Sequence, residues 1–175
     1  RTPKYLRDAV LPDLDLQLQW KPGDHIIGAG VDYKMIQPRL SVEFPDGIHK
    51  TDEKVGSWAF TAFAKLDFPL LLLKMQAVWG QNLTEFIMLG GYIESSIDSV
   101  GHNIGYSPSS QFSAWADLST KGKRIKFGLL GGYAANLGYE EEASGAYYGL
   151  GQDIDYLYRV SPRIQWYSGR VMLGL

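Results

Sequence analysis

Apolar and polar residues alternate with period two along most of this chain. Leu14, Leu16, Leu18 and Trp20 interleave with Asp15, Gln17 and Gln19. Ile27, Ala29, Val31, Tyr33 and Met35 follow, with Asp32 and Lys34 on the opposite parity. Trp58, Phe60, Ala62, Ala64, Leu66 and Phe68 then alternate with Thr61, Lys65 and Asp67. Successive side chains of a strand point to opposite faces, so each stretch predicts a strand with one apolar and one wet face. The pattern predicts eight strands, near 13–21, 24–36, 56–67, 70–79, 111–119, 124–134, 154–167 and 170–175. In the seventh, Ile154, Tyr156, Tyr158, Val160, Pro162, Ile164 and Trp166 alternate with Asp155, Arg159, Arg163 and Gln165. Pro162 has no N–H for a ladder, which predicts a bulge or a sheet edge there.

The connections fall into two classes. Lys21-Pro22-Gly23-Asp24, the Asp67-Phe68-Pro69 corner, Thr120-Lys121-Gly122-Lys123 and Ser168-Gly169 are short, and each holds the Gly or Pro that tight turns use. The segments 37–55, 80–110 and 135–153 are long. Short and long connections strictly alternate. In an up-and-down sheet this puts all short turns on one rim and all long loops on the other, as in outer-membrane barrels. Phe86-Ile87-Met88-Leu89-Gly90-Gly91-Tyr92-Ile93 has the composition of a ninth strand, but counting it breaks this alternation. It is therefore assigned to the 80–110 loop, folded toward the interior.

Alternation alone does not say which face is inside, because a soluble sandwich alternates too. Three features favour a membrane wall. The apolar parity of all eight strands lacks Asp, Glu, Lys and Arg, and its one histidine, His25, stands at the first turn. The aromatics on it sort by depth: Trp20, Phe68 and Trp166 lie beside short turns, and Trp58, Trp79, Phe112, Tyr133 and Tyr156 lie near long loops. Two such belts match two bilayer interfaces. Strands of ten or so residues suit a tilted crossing, which takes about 9–11. The predicted fold is thus all-β: an antiparallel up-and-down transmembrane β-barrel. Its outer face meets the lipid bilayer and its lumen meets small hydrophilic solutes.

The wet parity carries Lys34, Lys65, Lys74, Lys126, Arg159 and Arg163, together with Asp32 and Asp117. Arg124, Arg170, Asp13, Asp15, Asp67 and Asp155 are assigned to it as well. The mixture is slightly basic, which favours anionic solutes. The competing expectation is that these charges pair across strands and only hydrate the wall.

Composition changes this picture little. The chain has 17 basic and 19 acidic residues, so nothing draws it to nucleic acid as a whole. Mean hydropathy is −0.15, which conceals a barrel because half of every strand is polar. Cysteine is absent, which removes disulfides and thiolate metal sites.

Several stretches are familiar in sequence. Trp79-Gly80-Gln81-Asn82-Leu83-Thr84-Glu85 leads to Met88-Leu89-Gly90-Gly91-Tyr92. Ser113-Ala114-Trp115-Ala116-Asp117-Leu118-Ser119 and Gly128-Leu129-Leu130-Gly131-Gly132-Tyr133 come next. Ile154-Asp155-Tyr156-Leu157-Tyr158-Arg159-Val160-Ser161-Pro162-Arg163 completes the set. In order and spacing these resemble the DcaP-like porins of the Bacteroidota outer membrane, from about Thr2 to Leu175. The resemblance implies a large barrel, homotrimers and passive diffusion of small, often anionic, solutes. It implies no catalytic residues. Such barrels need more than eight strands, so the expectation is that these residues form the C-terminal half of a longer chain, without its end. The rival expectation is a self-contained eight-stranded barrel, plugged by its side chains, that contacts partners through its long loops.

Reactive chemistry is sparse. His25, His49 and His102 lie far apart, no two at metal-ligand spacing, so no metal or cofactor is expected. Glu140-Glu141-Glu142 is a run of oxygens that calcium accepts, read here as a solvated external charge run. Ser109 or Ser110 with His102 would have to supply a nucleophile–base pair. Nothing beyond proximity supports that, so the chain is read as a non-enzyme.

Overall fold

A computed structural model describes residues 9, 11–86, 88–151 and 153–174. Its strands, in chain order, are β1 Leu14–Trp20, β2 Ile26–Ile36, β3 Ser41–Phe44, β4 Gly47–Lys50, β5 Val55–Asp67 and β6 Leu71–Gln81. Then come β7 Gly90–Asp98, β8 Asn103–Thr120, β9 Ile125–Tyr139, β10 Tyr147–Leu150, β11 Tyr156–Ser168 and β12 Val171–Gly174. One 3₁₀ turn, Leu83–Phe86, precedes β7. No described helix is long and apolar enough to cross a membrane, which says nothing about crossing by strands.

Eight strands pair in the order β1-β2-β5-β6-β8-β9-β11-β12, each antiparallel to the next. This is a simple meander. Every odd connection in it is a short turn and every even one carries extra structure. The hairpin β3–β4 fills the first long connection, β7 lies in the second and β10 in the third. Among the described residues β1 and β12 each pair on one side only, so the sheet is open between them.

Several boundaries differ from the alternation pattern. The segment 80–110 is not a plain loop: Gly90–Asp98 is strand β7, and β8 starts at Asn103 rather than 111. β7 stays off the main path, pairing with the outer end of β8 and with β10. β9 runs on to Tyr139, five residues beyond its expected end at 134. Asp13 falls before β1, Ile154 and Asp155 fall before β11, and Arg124 and Arg170 fall in turns, so these four charges are not strand residues. β11 shows no bulge at Pro162, which sits opposite Leu129 in unbroken register. Its other side is an edge, since β12 reaches only as far as Gln165.

The register joins the eight apolar stripes into one face. Leu16, Val31, Phe60, Trp79, Phe112, Ala135 and Tyr156 form one row of directly paired residues. Leu18, Ala29, Ala62, Ala77, Ala114, Tyr133 and Tyr158 form the next. No residue of this face in the eight strands carries a charge. The face is also uncovered: Leu18 is 71%, Trp20 66%, Val160 66% and Tyr158 74% exposed. A sandwich would bury such a face under a second sheet. Here the buried apolar residues Val42, Leu83, Leu89, Ile93 and Ile104 cluster instead among the long connections.

Close strand approach is supported on the polar face by small residues under large ones. A Cβ on Gly28 would lie 2.4 Å from Phe63 Cζ and 2.9 Å from the Leu18 carbonyl oxygen. Gly28→Val should therefore weaken the β1–β2–β5 pairing by about 1–3 kcal/mol. The loss is read as a lower denaturant midpoint, partly restored by adding Phe63→Ala. An unchanged midpoint would contradict this packing.

Candidate functional site

Lys34, Lys65, Lys74, Lys126, Arg159, Arg163, Asp32 and Asp117 all fall on the polar face by register. They are not equivalent there. Arg163 donates two hydrogen bonds of 2.7 Å to Asp117 across β9. The guanidinium passes over Gly128, where a Cβ would lie 2.6 Å from Arg163 Nε. Lys65 lies 3.9 Å from Asp67, which also pairs with Lys121 of the next short turn. Lys126 sits 4.7 Å over the Tyr167 ring. Lys74 and Arg159 are exposed and make no ion pair among the described residues. The pairing expectation therefore describes Arg163 and Asp117, whereas Lys74 and Arg159 keep their charge open to water.

A hollow of about 510 Å³ lies on this face, between Asp15, Gln17, Asp32, Thr61, Gln76 and Trp115. Trp115 donates to Gln76 at 3.3 Å, and Gln76 donates to Thr61 at 3.2 Å, a polar relay across three strands. Met88 reaches over the hollow from the second long connection. The start of that connection is tethered inward by buried Lys34, whose ammonium donates to the Asn82 carbonyl. Asn82 takes a left-handed φ of 48° to make the corner. At Gly90 a Cβ would lie 2.6 Å from the Leu83 backbone nitrogen, so only glycine lets the chain double back there.

The three long connections are knotted together around Glu94 of β7, which is 6% exposed. Arg39 from the first donates to Glu94 Oε1 at 2.7 Å. From the third, the Tyr148 hydroxyl donates to the same oxygen at 2.7 Å and the Ala146 N–H donates to Oε2 at 3.0 Å. Arg39 also donates to the Tyr148 hydroxyl and lies 5.7 Å from its ring centre. Three donors on one carboxylate satisfy the charge that burial would otherwise penalise. Nearby, burial pushes the Tyr106 hydroxyl up to about 12, and that oxygen has no hydrogen-bond partner among the described residues.

A second cluster joins the first and second connections. The Asp46 carboxylate, in the β3–β4 turn, lies 3.3 Å from His49 Nε2 and 2.6 Å from His102 Nε2. The two imidazoles stack at 3.7 Å with 11° between their planes. Slight desolvation raises the Asp46 carboxyl, but hydrogen bonds from His102, the local backbone and His49 outweigh it and hold the group below the usual carboxylate range. This corrects the expectation that no histidines meet. His25 stays at the opposite rim, where its Nδ1 accepts from the Asp67 N–H at 2.9 Å.

The serine–histidine pair does not assemble. Ser109 is buried, donates to the Gly91 carbonyl at 3.1 Å and accepts from Gln111, while His102 points at Asp46. Glu140, Glu141 and Glu142 are all exposed. Seven of the eight belt residues lie on the apolar side by register, where Trp58, Phe60 and Trp79 touch one another and Tyr133 stacks on Tyr156 at 6.3 Å. Phe68 falls just past β5, its ring 5.6 Å from His25.

Period-two reading could not find the Glu94 knot, because its members are 55 and 54 residues apart. The β3–β4 hairpin did have a local signal, Pro45-Asp46-Gly47, a turn sequence between two short extended runs. No protein-family model, no curated protein and no solved structure matches this chain.

Glu94→Ala should release the third connection from the first. Loss of hydrogen bonds to a charged group costs about 1.5–3 kcal/mol, so protease nicking within 140–146 should rise by roughly ten- to a hundredfold. Unchanged nicking would mean that the knot does not hold the loops.

Proposed function

We propose that this chain is a wall of an outer-membrane porin through which small hydrophilic, preferentially anionic, solutes diffuse. The observation that carries the proposal is the register. It merges eight uncharged stripes into one uncovered apolar face and places the charged side chains on the other. A sheet whose bare face is apolar and free of charge suits hydrocarbon, where a midplane Lys or Arg costs about 2–4 kcal/mol. Trp20, Phe68 and Trp166 then form one interfacial belt, and Trp58, Trp79, Phe112, Tyr133 and Tyr156 the other. The polar face lines the lumen, and the barrel closes with further wall so that no backbone edge meets lipid. The connection carrying Met88 over the polar face is the constriction. Exposed Lys74 and Arg159, with Lys126, bias the field toward anions. Homotrimeric assembly follows the resemblance to DcaP-like porins. Neither a nucleic acid nor a cofactor has a role in this reading.

A second reading has its own support. The Glu94 knot ties all three long connections into one cap, which suits a structural or binding barrel with no open channel.

Planar-bilayer conductance separates the two. A porin gives stable open steps and an anion-selective reversal potential in a salt gradient. Lys74→Glu with Lys126→Glu should move that potential toward cation selectivity. A folded, membrane-inserted protein without conductance would overturn the porin in favour of the capped barrel. Conductance with an unmoved potential would remove these lysines from the pathway.

A further inference from the structure

Asp46, His49 and His102 each offer one ligand atom, and these atoms lie within 4.8 Å of one another. Two come from the β3–β4 hairpin and one from the β7–β8 turn, 56 residues away. We propose that they bind a divalent transition ion of the zinc class, which clips the first long connection to the second.

The donor set selects the ion. Two imidazole nitrogens and one carboxylate oxygen suit zinc and its neighbours, whereas calcium and magnesium take oxygen alone. Three protein ligands leave the fourth tetrahedral position for water. Tetrahedral bonds of ~2.0–2.1 Å put neighbouring donors ~3.3 Å apart, so donors at the 4.8 Å limit close by about 1.5 Å, while Asp46 and His102, now 2.6 Å apart, open by about 0.7 Å.

The arrangement is braced for this. Phe44 meets both rings edge-on, with centroids 6.2 Å from His49 and 5.5 Å from His102. His102 takes a φ of 54°, which β-carbon residues rarely adopt. The turn that forces it there is capped by Asp98, which accepts from the Val100 and Gly101 N–H groups at 2.9 Å each. Beside His102, Asn103 accepts from buried Thr51 at 2.8 Å and donates to Glu53 at 2.5 Å. These bonds hold the same two connections together one residue from the cluster. Such bonds fix the backbone that carries the three donors, which limits how far they move when an ion binds. The cluster is part-exposed, so an ion enters from water without opening the fold. The inference does not rest on the porin reading, because it concerns the connections and not the wall.

The test is calorimetric titration of zinc chloride into the full-length, chelator-stripped protein in detergent. One saturable site at micromolar or tighter affinity is expected. His102→Ala and Asp46→Asn should each weaken it at least tenfold, and His25→Ala should leave it unchanged. Asp46→Asn keeps the side-chain shape, so its effect reports ligation and not folding. Zinc should also slow proteolysis within 99–102 in the unmodified chain and not in Asp46→Asn. Absence of saturable binding below about 1 mM would overturn the proposal. So would tight binding that survives both substitutions.

Discussion

In-phase pairing of neighbouring strands is the constraint on which the rest of the structure depends. Side chains alternate faces, so a slip of one residue exchanges a strand's entire apolar and polar sets. The cost of a slip is visible at β6. Lys74 sits opposite Asp117 of β8 and Lys65 of β5. Shifted by one, it would stand in the row of Leu73, Leu66 and Leu118, on the uncharged face. The alternation that makes the face pure is therefore also what holds the register.

β8 is where wall and cap become one object. Its residues from Ser110 to Thr120 pair with β6, and its residues from Asn103 to Pro108 pair with β7. The register shift between Ser110 and Gln111 on the β9 side falls at this handover. Bulges re-aim a strand, and this one falls where β8 passes from the wall into the cap. Above it, regular alternation gives way to hydrogen bonds over long sequence distances. Lys34 of β2 bonds to the second connection, and Arg39, Glu94 and Tyr148 bond to one another across all three.

The wall was legible in the sequence and the cap was not, for a physical reason. In the wall each strand's environment repeats every second residue, so Leu14 to Trp20 or Tyr156 to Trp166 announce themselves locally. The alternation of short and long connections correctly kept Gly90–Asp98 off the main sheet path, though not out of strand structure. In the cap, Glu94 is buried because Arg39 and Tyr148 reach it, and nothing near it in sequence says so. His49 and His102 meet for the same kind of reason, through the β3–β4 hairpin and the Asn103 bonds. Only Pro45-Asp46-Gly47 gave a local hint. Among the charges, sequence assigned the face but not the pairing: Arg163 is tied to Asp117, whereas Lys74 and Arg159 make no ion pair among the described residues.

The central claim is that the uncharged face meets lipid and the charged face meets water. The absence of cysteine from these residues makes a direct measurement clean. Single cysteines are placed in turn from Tyr158 to Gln165 of β11, and the protein is reconstituted in lipid vesicles. Each variant is then treated with a charged, water-soluble maleimide. The account predicts period-two reactivity: cysteines at 159, 161, 163 and 165 label, and those at 158, 160, 162 and 164 are protected. Labelling with the opposite phase, or equally at all eight positions, would contradict it.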